Sequence, residues 1–340
     1  MLKKFVATLG AAAVVAGVSA TVASAQSVSL RMATWLPPKH HLVADTIPKW
    51  IASLNKASGG KMKVRIDPAP IGKPPAMYDI VRGGAADMVY HVLGYTPGVF
   101  EIIRGAELPF LAPNAEIGSQ AVADWYARNV GWDKEFKDVK VLAIMVHGPG
   151  VIHTKKAINK LEDLAGVKLR VGGGGVKMSK ALGAVPLTMP APASYEAVQK
   201  GVADGALFPY EAMRGFRLGE LLEYHTEIPG GLYTTVFAIM MNKKKYDGLS
   251  AANKKALEAV GGVAGAKILG AGWDRADSAG KKFSVEKKGK IIVMAPAEVA
   301  RVKKKIDFMD NEWIADMKKK GVDGKKLLDD LRATIAKYSK

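Results

Sequence analysis

The sequence predicts an α/β fold: two domains that close like a clamshell, braced by one long helix. Three observations predict it. Residues 28–147 alternate strand and helix signals as β-α-β-α-β, the mark of a doubly wound sheet. The alternation restarts after Gly148-Pro149-Gly150, a natural crossing between domains. From Ser250 to about Lys287 a helical spacing runs on without a proline, long enough to brace both halves.

Each element follows from its residues. Ser27 to Thr34 reads as a strand that ends in the loop Trp35-Leu-Pro-Pro-Lys-His-His41. Val43, Ile47, Trp50, Ile51 and Leu54 then share one helical face, and Ser58-Gly59-Gly60 stops that helix. Met62, Val64 and Ile66 alternate with polar residues, as a half-buried strand does. Pro68 to Gly72 is a turn-rich loop, followed by a short helix from Pro75 to Val81 and a strand from Met88 to Val92. Lys140 to Val146 is an apolar strand. Past the crossing, Val167 to Val171 is another, running into Gly172-Gly-Gly-Gly175 and a helix. Tyr195, Val198 and Val202 suit a helix capped by Ser194. Ala206 to Phe208 is a short strand, and Thr234 to Asn242 is a long apolar one that returns to the first sheet. Ile291 to Met294 is the last strand, and two Lys-rich helices close the chain. In open α/β sheets ligands sit at the carboxyl ends of strands, and between two such domains those ends face one cleft.

The first residues bound where the protein works. Met1-Leu-Lys-Lys4, an apolar run from Phe5 to Val22 and the small-residue end Ala23-Ser24-Ala25 form the pattern of a secretory signal peptide. A membrane anchor needs roughly 20 apolar residues with suitable flanks. Thr8, Gly10, Gly17 and Ser19 interrupt this run, and no basic stop-transfer flank follows. The expected mature chain begins near Gln26 and works in the periplasm, outside the reach of most ATP- and NAD-dependent chemistry. It contains no cysteine, so neither a disulfide nor a thiolate site is possible. The formal charge is +18, and Lys3 and Lys4 account for two of those charges. From Lys281 to Lys340 there are 17 Lys or Arg against 9 Asp or Glu. No aromatic residues interleave with Lys303-Lys304-Lys305 or Lys318-Lys319-Lys320, so solvated helix faces account for them better than a nucleic-acid site.

Reactive constellations are absent from the pattern. The Gly172–Gly175 run lacks the spacing of a phosphate-binding loop or a dinucleotide fingerprint. His40, His41, His91, His147, His153 and His225 form no recognised metal spacing, and no Gly-x-Ser-x-Gly elbow is present. Asp87 and Asp204 read as turn residues. Arg170 stands apart, lying within the apolar strand Val167-Lys-Leu-Arg-Val171. Its planar guanidinium suits either a carboxylate ligand, held by two parallel hydrogen bonds, or a structural ion pair.

Motifs along the chain carry a resemblance. They are Leu30-Arg-Met-Ala-Thr-Trp35, Val81-Arg-Gly-Gly-Ala-Ala-Asp87, Tyr95-Thr-Pro-Gly-Val-Phe100, Leu108-Pro-Phe110, Leu161-Glu-Asp-Leu-Ala-Gly-Val-Lys-Leu-Arg170, Leu182-Gly-Ala-Val-Pro186 and Tyr195-Glu-Ala-Val-Gln-Lys-Gly-Val-Ala-Asp-Gly205. In this order the chain resembles the periplasmic solute-binding protein of a tripartite ATP-independent periplasmic (TRAP) transporter, of the dicarboxylate-binding type. The resemblance implies a non-catalytic protein that closes around an organic acid and delivers it to a membrane permease, with Arg170 gripping the carboxylate. It implies a periplasmic-binding-protein clamshell, divided here as residues 1–25 signal peptide, 26–148 plus 235–280 first domain, and 149–234 plus 281–340 second domain. No cofactor, metal or nucleic acid is expected, and the protein is expected to be a monomer.

The departures from the family pattern shape the expected ligand. Many members carry Asn where Phe208 stands, and sugar-acid binders often carry a second arginine where Gly150 stands. Trp35 stands where some relatives have a smaller polar residue, and Lys73 follows Gly72 where an acid can occur. The expected ligand contacts are Arg170, Phe208, Trp35, His91, Lys73, His147, Tyr210 and Tyr233, favouring a monocarboxylate with an apolar or aromatic body. The alternatives are a solute-binding protein of another importer class, a periplasmic enzyme acting on small organic acids, and a polyanion-binding protein.

Overall fold

The computed structural model describes residues 27–172 and 174–340, and the signal-peptide reading lies outside the described residues. Among the described residues no helix is long and apolar enough to cross a membrane.

The first sheet begins with β1 (Val28–Ala33), which runs parallel to β2 (Met62–Ile66) and to β3 (Met88–Val92). Between β1 and β2 lies α1 (Ile47–Ala57), which buries Ile47, Trp50 and Leu54, the apolar face that the spacing predicts. Gly59 and Gly60 sit at φ +59° and +79° and end it, as the Ser-Gly-Gly signal requires. The Trp50 indole donates to the Val260 carbonyl at 2.7 Å. All five residues of β3 are buried, which is what a strand covered on both faces demands. Next come α2 (Ala115–Asn129), capped by the Asn114 side chain, and β4 (Val139–Val146).

Gly148-Pro149-Gly150 then carries the chain into the second sheet. Its strands are β5 (Val151–Thr154), β6 (Lys168–Val171), β7 (Val185–Thr188), β8 (Gly205–Phe208) and β9 (Tyr224–Glu227). The helices among them include α3 (Gly175–Ala181) and α4 (Glu211–Gly215). Ser194 does not cap its helix; it lies inside Ser194–Gln199 with its hydroxyl buried. The chain returns through Ile228–Thr235 to β10 (Val236–Asn242), which pairs antiparallel with both β3 and β4. The first sheet therefore runs β2-β1-β3-β10-β4.

The bracing segment is two helices, α5 (Ala251–Ala259) and α6 (Gly262–Glu286). Gly262 at φ +49° breaks the predicted continuous helix. Helix α6 packs on α2 and β4 of the first domain and on α4 of the second. Glycines permit the approach: a Cβ on Gly280 would lie 2.0 Å from the Tyr210 carbonyl oxygen, and one on Gly270 would lie 2.7 Å from that of Ala115. The chain then enters β11 (Lys290–Val293), the edge of the second sheet, whose order is β11-β9-β5-β8-β6-β7.

Three helices close the chain where two were expected: α7 (Pro296–Ile306), α8 (Phe308–Lys319) and α9 (Gly324–Tyr338). They do not all join the second domain, as the 281–340 assignment expects. Helix α7 does, its Glu298 accepting from the Leu161 amide at 2.9 Å. Helix α9 lies against α2 of the first domain, where Trp125 donates to the Leu327 carbonyl and Asn129 to Asp330. Its amphipathic face buries Leu327, Leu328, Leu331 and Ile335, and the apolar partner for that face is on the first domain.

Candidate functional site

A cavity of about 850 Å³ lies between the two sheets. Its walls come from the loop after β1, the end of β3, the two crossings, the ends of β6 and β8, and α6. Helix α8 covers one side, with Met309, Glu312, Trp313 and Asp316 on the lining. Tyr95 of the first domain bridges to the second, its hydroxyl accepting from the Ala191 amide at 3.1 Å.

Arg170 projects into this cavity from β6 and is only 3 % exposed. Its Nε and Nη2 donate to the Met189 carbonyl at 3.2 and 2.8 Å, which fixes one edge of the guanidinium. Its Cζ lies 4.1 Å from the centre of the Phe208 ring. Among the described residues no carboxylate forms an ion pair with it, and burial pulls its pKa below the usual guanidinium value. The other lining cations are paired. Arg104 holds Glu107 at 2.7 Å, Lys177 holds Glu312, Lys319 holds Asp316, and Lys320 holds Glu101.

The remaining surface is largely aromatic. Trp35 and Phe216 face each other nearly parallel, with centroids 6.5 Å apart, and Trp35 also touches Tyr90 and Tyr95. Phe237 stacks on Trp273 at 5.0 Å. Tyr233 stands edge-on to His147 at 5.3 Å, in space that only a glycine at 150 leaves: a Cβ there would lie 2.0 Å from the Tyr233 ring. The sequence position of a possible second arginine is thus a cleared floor beneath an aromatic side chain. His147 donates Nδ1–H to the Gly148 carbonyl at 2.5 Å, which leaves Nε2 to accept from Thr235 at 3.1 Å. Burial lowers its pKa to about 4, so the ring is neutral at physiological pH.

Five of the eight predicted contacts therefore meet on one surface: Trp35, His147, Arg170, Phe208 and Tyr233. The other three lie outside the cavity lining. His91 is on β3, but Tyr90 and Val92 line the cavity, and alternation sends the residue between them to the opposite face. There His91 pairs with the Thr96 hydroxyl at 2.7 Å and contacts Tyr78 and Phe100. Lys73 is exposed on the proline-rich loop before the turn Pro74–Ala76. Tyr210 follows the end of β8, where the chain turns at Pro209. Its hydroxyl donates to Glu227 at 2.8 Å, and its ring packs beside His153 and His225 inside the second domain.

Sequence reasoning missed Phe216, Trp273 and Glu211, which also line the cavity. Trp273 sits within the bracing helix, and nothing local distinguishes a cleft-facing residue there from a packed one. His40, His41 and Glu211 bring three possible metal-ligand atoms within 4.8 Å of one another. The Leu42 amide donates to His40 Nδ1 at 3.3 Å, so a neutral His40 carries its proton on Nε2 and presents a donor there, not the lone pair that a metal needs.

Residues 32–316 match the family described as bacterial extracellular solute-binding protein, family 7. The chain belongs to that family. As a family 7 receptor it is extracytoplasmic, works in the periplasm and serves the membrane permease of a TRAP transporter. Among solved structures it is similar to a TRAP solute-binding protein of a marine metagenome, specific for aromatic acid ligands and in complex with 3-hydroxybenzoate. The two are 38 % identical with a TM-score of 0.87, over 93 % of this chain and 100 % of that one. It is similar to a Rhodoferax ferrireducens TRAP protein in complex with copurified benzoate, at 35 % identity and TM-score 0.87 over 92 % and 99 % of the two chains. A Bordetella bronchiseptica TRAP protein with bound (R)- and (S)-mandelate is 34 % identical, with TM-score 0.87 over 91 % and 99 %.

Proposed function

We propose that this receptor captures an aromatic monocarboxylate on Arg170 and delivers it, chemically unchanged, to its permease. The observation that carries this reading is the buried guanidinium of Arg170, which has no acidic partner among the described residues and is surrounded by aromatic rings. Burying an uncompensated cation is strongly unfavourable, and a carboxylate restores the balance through charge-assisted hydrogen bonds. Among the described residues one lining cation is without an acidic partner, which suits one carboxylate. His147 is neutral, and the other lining cations already hold acids. Trp35, Phe208, Phe216 and Tyr233 suit a flat apolar body, where burial contributes about 25 cal/mol per Å². Sugar hydroxyls would meet those faces without partners, at roughly 1–3 kcal/mol for each unpaired group. The relatives above 30 % identity that bind benzoate, mandelate and 3-hydroxybenzoate support the same class. A galacturonate-binding neighbour, 17 % identical, shares the fold alone.

A thermal-shift panel tests the proposal, because a ligand that binds only the folded state raises the melting temperature. Benzoate and mandelate should raise it more than galacturonate or succinate. A larger shift with galacturonate or succinate, and none with any aromatic acid, would overturn it.

A further inference from the structure

Resting on that reading, we propose that Glu211 is a second anchor, accepting a hydrogen bond from a hydroxyl on the aromatic body of the ligand. One wall of the cavity runs from cation to acid in four contacts. Arg170 lies over Phe208, and the Phe208 and Phe216 rings are 5.9 Å apart. The Phe216 and His40 rings are 5.2 Å apart, and His40 Nε2 lies 3.3 Å from Glu211 Oε2. Arg170 and Glu211 thus stand at the two ends of one run of contacts on the cavity wall, with the ligand carboxylate placed at the first and its hydroxyl at the second.

Glu211 is suited to read that hydroxyl. It lines the cavity and is 4 % exposed. Its amide donates to Asp277 at 2.8 Å, and a Cβ on Gly215 would lie 2.7 Å from Oε2, so backbone and carboxylate are both closely confined. His40 and His41 approach Oε2 at 3.3 and 3.8 Å without hydrogen-bond geometry. Among the described residues no donor is hydrogen-bonded to either oxygen of this carboxylate. Buried polar groups in native proteins are almost always paired, so a carboxylate on the cavity wall suits a hydrogen-bond donor carried by a ligand. A carboxylate accepts and does not donate, so it selects a hydroxyl over an ether and disfavours a second carboxylate at the same place. A site built to bond a substrate hydroxyl discriminates strongly against the analogue that lacks it.

The test is calorimetric titration of the wild-type protein with benzoate, 3- and 4-hydroxybenzoate and their methyl ethers, repeated on Glu211→Met. At least one hydroxybenzoate should bind ten or more times tighter than both benzoate and its own methyl ether, and Glu211→Met should bring that ratio within threefold of one. The wild-type series decides the matter even where the variant does not fold. Equal binding of phenol, ether and benzoate would overturn the second anchor while leaving the Arg170 reading intact, as would a ratio preserved in Glu211→Met. A wild-type protein that binds none of these acids would overturn both.

Discussion

Burial disfavours the charged form of a titratable side chain, and it holds His41, His91, His147, His153 and His225 below the ordinary imidazole value. Burial lowers His91 to about 3 and both His147 and His225 to about 4, from an ordinary value near 6.5. With folded pKa values depressed, the unfolded chain takes up these protons first. The stability that the neutral rings contribute is complete above about pH 6.5 and is lost as pH falls from there toward 4 and then 3. His91→Gln removes one such group without touching the cavity. The drop in unfolding free energy between pH 7 and pH 5 should then shrink by about 2 kcal/mol, read by urea denaturation at both pH values. An undiminished drop would show that His91 is not the neutral buried group described. His91 also shows where the sequence stops informing. The strand Met88–Val92 was legible from its apolar run, but which of Tyr90, His91 and Val92 faces the cleft depends on which sheet face the second domain covers, and a shift of one residue reverses the answer. Arg170 was legible because a cation within an apolar strand is rare whichever face it takes. Glu211 was not, because an acid just after a strand resembles any helix-start residue.

At the scale of elements, glycine placement decides how closely the brace approaches both domains. In an exposed helix interior, Gly→Ala normally stabilises by about 1 kcal/mol. At Gly280 the new Cβ would meet the Tyr210 carbonyl oxygen at 2.0 Å, a backbone atom with no flexible end to yield. Gly280→Ala should therefore destabilise by about 1–3 kcal/mol, the ordinary range for overpacking, and lower the melting temperature. A stabilised variant would mean that α6 and α4 are not in this contact. The long elements were legible in the sequence: α1 from its face, β10 from its apolar run, and the brace from its length. The four-residue strands β5, β7 and β9 were not, since each is defined by its neighbours in the sheet more than by its own residues. The break at Gly261-Gly262 was missed because a lone glycine pair is tolerated within many helices, and only the positive φ at Gly262 shows that the chain turns there.

At the scale of the molecule, the two sheets are joined by the crossings at Gly148–Gly150 and Ile228–Thr235 and by α6, and they touch across the cleft through Tyr95 and Ala191. We expect a hinge motion about the crossings on binding, with α6 as the brace. Small-angle scattering should give a smaller radius of gyration at saturating aromatic acid than without it, and an unchanged profile would indicate a rigid pocket. The central claim is that the cleft closes on a carboxylate held by Arg170. It is tested most directly by calorimetric titration of the tightest-binding aromatic monocarboxylate into the wild-type protein and into Arg170→Ala and Arg170→Lys, each checked for folding by circular dichroism. Losing a charge-assisted bidentate contact in a desolvated site commonly costs about 2–5 kcal/mol. The account predicts at least tenfold weaker binding by Arg170→Ala, with little recovered in Arg170→Lys because an ammonium lacks the planar fork. Wild-type affinity in folded Arg170→Ala would contradict it.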